Sequence, residues 1–150
     1  MGLVAKDPVA VASDHAGYEL RVLLAEELRA LGHPVVDLGS GDGQRVDYPD
    51  MAYALVRALR AGQTVRGVLV CGSGIGISMA ANRFPDIRAA LVHDALGARL
   101  ARQHNDANVI CFGGRMIGAE VARDCLRIFL ETEFDGGRHC PRIEKLANPV

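Results

Sequence analysis

Lysine is almost missing from this 150-residue chain: among 17 basic residues only Lys6 and Lys145 are lysines, both near an end. Schiff-base chemistry through an interior lysine is therefore excluded unless one of these two folds back. The other basic residues are arginines, whose planar guanidinium fork matches phosphate oxygens. Charge of either sign is not in excess. The net charge is −1, so bulk electrostatics gives no reason to expect a nucleic-acid or membrane-surface partner. Long apolar runs are missing as well. No stretch nears the roughly 18 residues that a membrane span needs, and the apolar start Met1–Ala5 is too short for a signal peptide. The four cysteines (Cys71, Cys111, Cys125, Cys140) form no CxxC pair, so reduced thiols in a cytoplasmic protein are expected. No histidine–carboxylate set has metal-ligand spacing along the chain, and neither a metal nor an organic cofactor is expected.

What is present has a regular rhythm. Hydrophobic residues make up 49% and charged residues 23%, an ordinary globular balance in a chain of one-domain size. No repeat or linker interrupts it, so residues 1–150 read as one domain, with 1–7 a flexible N-terminal stretch. Five short apolar runs recur at Val9–Ser13, Pro34–Leu38, Val68–Cys71, Arg88–Val92 and Asn108–Phe112. They are rich in Val and Ile and barely alternate, as strands buried on both faces do. Between them lie helical patterns. Leu20, Leu23, Leu24, Leu28 and Leu31 share one face before Gly32, and Met51, Ala52, Leu55 and Leu59 share another between Pro49 and Gly62. Further helices fit Ile75–Arg83, Asp94–Gln103, Ile117–Leu130 and a short segment after Pro141. Alternating strands and helices predict an α/β fold, a Rossmann-like three-layer sandwich around a five-stranded parallel sheet.

Ligands in such folds bind beyond the carboxyl ends of the strands. The residues there are Asp14-His15, Gly39-Ser40-Gly41, Cys71-Gly72-Ser73-Gly74, His93-Asp94 and Gly113-Gly114-Arg115. A flavodoxin-like strand order, 2-1-3-4-5, would place Asp14, His15 and Cys71 around one crevice. The richest segment is Val70-Cys-Gly-Ser-Gly-Ile-Gly-Ile-Ser78. Glycines at alternate positions allow a tight loop of exposed backbone N–H groups, and the helix that follows adds its positive end. Such a nest holds an anion or a developing oxyanion, and it favours the thiolate of a cysteine at its entrance, here Cys71. A P-loop is excluded because no Gly-Lys-Ser/Thr is present. A dinucleotide loop is disfavoured by GxGxG spacing after the third strand rather than GxGxxG after the first, and a C-x5-R phosphatase by Ile77 where arginine should stand. A glycine-rich turn beside a buried cysteine remains the plain structural alternative.

These residues resemble the type B ribose-5-phosphate isomerases and their sugar-phosphate isomerase relatives, from about Val9 to Leu146. The resemblance rests on Ser13-Asp-His-Ala-Gly17, Asp47-Tyr-Pro49, Cys71 to Ser78 with Ala80-Ala-Asn-Arg83, Arg102-Gln-His-Asn-Asp106, Phe112-Gly-Gly-Arg115, and Gly136-Gly-Arg-His139 with Arg142. It implies an aldose–ketose isomerase acting on ribose 5-phosphate, with Cys71 as the base that moves a proton between C1 and C2. His104 matches the group that opens the sugar ring. Ser73, standing where many relatives carry threonine, keeps that catalytic hydroxyl. Gly72, Gly74, Ile75 and Gly76 match the loop that holds the enediolate. Asp14, His15, Asn105, Arg115, Arg138 and Arg142 match ligands of the sugar or its phosphate. One branch of the family uses a glutamate in the loop as base, but Ile75 and Ile77 carry no carboxylate, which favours the thiolate. Relatives acting on six-carbon allose or galactose 6-phosphate share much of the pattern. A non-catalytic anion-binding module and a purely structural dimerising domain are the rival classes.

The helix from Asp94 to Gln103 must run back to the amino edge before the fifth strand, carrying His104 and Asn105 away from Cys71. This geometry and the resemblance both imply a homodimer with shared active sites; pairing into tetramers and the subunit that supplies Arg115 stay open. His33 is expected to face solvent, His93-Asp94 to cap a helix, and Cys111 and Cys125 to pack in the core. Tyr48 either packs at the site mouth or merely leads into its helix, and Cys140 has no assigned role.

Overall fold

The computed structural model describes residues 4–39 and 43–150. The order is β1 (Val9–Ser13), α1 (Tyr18–Ala30), β2 (Val35–Asp37), α2 (Tyr48–Arg60), β3 (Arg66–Cys71), α3 (Ile75–Ala81), β4 (Ala89–Leu91), α4 (Ala95–Gln103), β5 (Val109–Gly113) and α5 (Ala119–Glu131). A 3-10 turn at Gly137–His139 then leads into α6 (Cys140–Ala147). The expected Gly39-Ser40-Gly41 loop falls partly on Ser40–Asp42, outside the described residues. So does the start of the 1–7 stretch, of which Val4–Asp7 are exposed and without regular structure. No helix among the described residues is long and apolar enough to cross a membrane.

All five strands pair in parallel, as expected of two-sided burial. Side chains alternate across the sheet. Val9, Val11, Val68, Val70, Ile110 and Phe112 face α1, α4 and α5, in a core with Leu24, Leu28, Ala98, Leu126 and Phe129. Ala10, Ala12, Leu69, Cys71, Val109 and Cys111 face α2 and α3, against Leu55, Val56, Ile77 and Ala81. These are the three layers. Glu27 of α1, nearly buried, receives Arg127 of α5 at 2.7 Å and ties the two helices on one layer. α1 is stopped by Gly32 at φ +87° and α2 by Gly62 at φ +72°, the left-handed exit glycine favours.

The strand order is β2-β1-β3-β5-β4 rather than 2-1-3-4-5. The cause lies in the two last strands. β5 (VICFG) is buried at every position, whereas the three residues of β4 are only half-buried. The fully apolar strand takes the central place beside β3, and the short one takes the edge. The crevice expected around β1 and β3 survives this change, because those two strands are neighbours in both orders.

Candidate active site

Three strand ends meet at one level of the sheet: Ser13 is opposite Val70, and Cys71 is opposite Gly113. The loop leaving β1 folds over β3. Asp14 donates its N–H to the Val70 carbonyl at 3.2 Å, and its carboxylate accepts the Gly17 N–H at 3.0 Å. Gly17 lies so close to β3 that a Cβ there would stand 2.5 Å from the Val70 oxygen. Asp14 is thereby buried beside β3, with His15 half-buried and its Nδ1 3.5 Å from the Val46 N–H.

Cys71, the last residue of β3, is buried at 4% exposure, and its sulfur accepts the backbone N–H of Gly74 at 3.1 Å. That turn needs Gly74 at φ +77°, with the Leu91 side chain and the Phe112 backbone filling the space of a side chain. Ser73 Oγ accepts the Ile75 N–H at 3.2 Å. The Tyr48 ring lies over Gly76, where a Cβ would come within 2.7 Å of it, so Tyr48 packs at the mouth of the nest. Arg115 donates its N–H to the Gly72 carbonyl at 3.0 Å, and its guanidinium lies beside Gly72. Cys71 is thus surrounded by Asp14, His15, the Gly72–Gly76 loop and Arg115 of its own chain. Burial pushes the Cys111 thiol up, with Cys71 nearby adding to it, and pushes that of Cys125 up to about 11. Both are core thiols, as expected.

The remaining predicted residues gather at the opposite edge. His104 ends α4, donating its N–H to the Leu100 carbonyl at 2.9 Å. Asn105 is exposed, and Asp106 follows at φ +44°, the one non-glycine residue with positive φ among those described. Two arginines clamp this turn. Arg88, which precedes β4, donates Nε–H to the carbonyls of Asn105 (3.1 Å) and Asp106 (3.0 Å). Arg102, buried, donates to the Asp106 carboxylate at 2.8 Å and the Ala107 carbonyl at 2.7 Å. The tail returns here: Asp135 donates its N–H to the Gln103 carbonyl at 3.0 Å, and His139 stacks on His104 with ring centroids 4.5 Å apart and planes 15° from parallel. Arg138 and Arg142 flank His139, both exposed.

The predicted site residues therefore form two groups, not one. Cys71, Ser73, Asp14, His15, Gly72, Gly74, Ile75, Gly76 and Arg115 lie at the carboxyl edge; His104, Asn105, Arg138 and Arg142 lie at the amino edge. The length of β5, roughly 13 Å at about 3.3 Å per residue, stands between them. Within one chain Arg115 does not join Arg138 and Arg142. A groove of about 540 Å³ beside β4, lined in part by Arg83, Phe84, Leu91, Leu100 and Asn105, touches the second group and does not reach Cys71.

Sequence spacing shows no histidine–carboxylate set, yet the fold assembles one: donor atoms of His104, Asp135 and His139 lie within 4.8 Å of one another. The trio is a poor metal cage as it stands. The lone pairs of two nearly parallel imidazoles lie in separate planes and do not converge on one ion. Asp94 caps α4 as expected, accepting the Gly97 N–H at 2.6 Å. His33 is half-buried, with Nδ1 2.8 Å from the Asp7 carbonyl oxygen in an exposed contact. Sequence reasoning gave no role to Arg88 or Asp135, and it quoted Arg102 and Asp106 only as the ends of a motif. It quoted His139 within a motif without a role, and no local signal points to its contact with His104.

Known proteins share this arrangement of elements. Residues 9–146 match the family model described as Ribose/Galactose Isomerase. Ribose-5-phosphate isomerase B of Escherichia coli is 39% identical over 138 residues, 92% of this chain and 93% of the relative. D-erythrulose-4-phosphate isomerase of Pectobacterium atrosepticum is 39% identical over 139 residues, 92% of this chain and 91% of the relative. The crystal structure of a ribose 5-phosphate isomerase from Thermotoga maritima superposes with a TM-score of 0.93 at 45% identity, covering 95% of this chain and 99% of that one. The chain belongs to the ribose/galactose isomerase family and is an aldose–ketose isomerase of the type B ribose-5-phosphate isomerase group.

Proposed function

We propose that the chain interconverts ribose 5-phosphate and ribulose 5-phosphate through an enediolate, with Cys71 as the base. The observation that carries this reading is the Gly74 N–H held 3.1 Å from the Cys71 sulfur, since an N–H donated to sulfur favours the thiolate that a base needs. The thiolate takes the proton from C2 of the open-chain aldose, and the electrons of the broken C–H bond form C1=C2 as the C1 oxygen takes up charge. The C2 hydroxyl proton passes to that oxygen, and the thiol returns its proton to C1 as the C2 carbonyl forms. Backbone N–H groups of the Gly72–Gly76 loop and the Ser73 hydroxyl meet that developing oxyanion. Asp14 and His15 orient the sugar hydroxyls, with Arg115 at the rim.

His104 serves ring opening by giving a proton to the ring oxygen, Asn105 binds the sugar, and Arg138 and Arg142 grip the phosphate with charge-assisted hydrogen bonds. These four lie too far from Cys71 of their own chain to act on one small sugar. We therefore assign them to the site of a second copy, in a homodimer with two shared sites. The reaction needs no redox partner, and the four free cysteines fit a reducing cytoplasm.

A turnover comparison tests the substrate. Ribose 5-phosphate is expected to exceed allose 6-phosphate and galactose 6-phosphate in kcat/KM, with erythrose 4-phosphate as a four-carbon control. Preference for a six-carbon phosphate would reassign the substrate and leave the chemistry. Phosphate-sugar binding with no turnover of any of them would make the chain a binding module.

A further inference from the structure

His139 touches neither Cys71 nor the nest around it, yet it is buried where the predicted site residues beside it are not. It is 7% exposed, whereas Arg138 and Arg142 beside it are exposed and His104 beneath it is half-buried. Its place is set by several constraints. The tail leaves α5 past Thr132, whose carbonyl accepts the Arg102 Nε–H at 3.1 Å, and Asp135 is pinned to the Gln103 carbonyl at the end of α4. Gly136 and Gly137, at φ +67° and +56°, then turn the chain back, and His139 closes the turn with its N–H on the Gly136 carbonyl at 3.1 Å. The outcome is one imidazole laid flat on another. We propose that His139 is a positioning residue, a flat plate that fixes the orientation of the His104 ring.

The charges around the stack agree. A positive charge on the enclosed His139 ring would lie close against its neighbours, the His104 ring 4.5 Å away among them. Burial holds the His139 ring below the usual histidine range, and His104, Arg138 and Arg142 push in the same direction; only Asp135 opposes them. Phe134, tilted 55° to the His139 ring with centroids 6.4 Å apart, is uncharged. His104 is the more accessible ring of the two. A ring free to rotate about its side-chain bonds would present its nitrogen to a sugar oxygen only part of the time, and loss of such orientation is costly to rate.

This inference rests on the ring-opening reading of His104, and substrate chemistry separates the two. Ribose 5-phosphate closes into a furanose and must be opened. Erythrose 4-phosphate has its C4 oxygen esterified, cannot form that ring, and needs no opening. The native chain, His104→Ala, His139→Ala and His139→Phe are compared on both. His104→Ala is expected to lose about tenfold or more in kcat on ribose 5-phosphate and much less on erythrose 4-phosphate. His139→Ala should show the same split, and His139→Phe, which keeps a flat neutral face, should recover most of the loss. Activity on erythrose 4-phosphate also reports that each variant is folded. If His104→Ala shows the split and His139→Ala does not, the positioning role is overturned while ring opening by His104 stands. If His104→Ala loses both substrates equally, the ring-opening reading fails and takes the positioning role with it. Failure of His139→Phe to recover activity overturns the stacking argument.

Discussion

Gly74 gives its backbone N–H to the sulfur of Cys71 across 3.1 Å, from a left-handed conformation at φ +77°. One residue thus shapes the turn and donates to the sulfur proposed as the base. If the sulfur is the base, Cys71→Ala should lower kcat by about 10²–10⁴-fold and leave substrate binding within about tenfold, because the thiolate acts in the transition state. Steady-state rates combined with calorimetric binding of the sugar phosphate check this; near-normal turnover would remove Cys71 from the mechanism.

Gly74→Ala adds a methyl where a Cβ would be 2.8 Å from the Phe112 carbonyl carbon and 2.5 Å from Leu91 Cδ1. The backbone cannot yield as a flexible side chain does, and the left-handed conformation disfavours alanine by itself. The expected loss is about 2–4 kcal/mol of stability, read from urea unfolding. A variant as stable and active as the parent would show that the turn relaxes freely.

The division of the site between two edges predicts complementation. Cys71→Ala and His104→Ala proteins, each impaired on ribose 5-phosphate, are mixed under conditions that exchange subunits. A mixed dimer holds one site with both groups intact, so activity should return toward about half per dimer of the parent value. Exchange confirmed by mass spectrometry without recovered activity would show that each site is built from one chain.

Stability should depend on pH through His139. The folded ring resists protonation, whereas the unfolded chain takes up a proton near the ordinary histidine value of about 6.5. The unfolded state then binds more protons, and stability rises with pH across that window. The contribution is complete above about pH 6.5 and is lost as pH falls toward the lowered folded value. Urea unfolding at pH 7.5 and 5.5 should show a larger decline for the native chain than for His139→Phe. Equal declines would place the titration elsewhere.

The legible features of the sequence were local ones. The runs at Val9–Ser13 and Asn108–Phe112 announced buried strands because both faces are apolar, and the structure places them at Val9–Ser13 and Val109–Gly113. The Cys71–Gly76 nest could be read because a cysteine, alternate glycines and a helix start lie within six residues. The place of β4 could not be read that way, since pairing is decided by how completely β5 is buried relative to its neighbour. Likewise the His104–His139 stack joins residues 35 positions apart through a glycine turn, and Asp106 owes its backbone conformation to Arg88 and Arg102, which approach from other elements. Expected helix ends moved by only a few residues, as with α3, which stops at Ala81 instead of Arg83.

The placing of β5 between β3 and β4 also sets an order of assembly during synthesis. As the chain emerges from its amino end, β2, β1 and β3 can pair with one another, but β4 pairs only with β5 and must wait for it. The Cys71 turn waits too, because Phe112 and Gly113 lie against Gly74 and Ser73. A nascent chain ending short of Gly113 would hold the whole Cys71–Ser78 segment and still lack the wall that shapes it. That segment is complete just past the middle of the chain and takes its form only after three-quarters of the chain has been made.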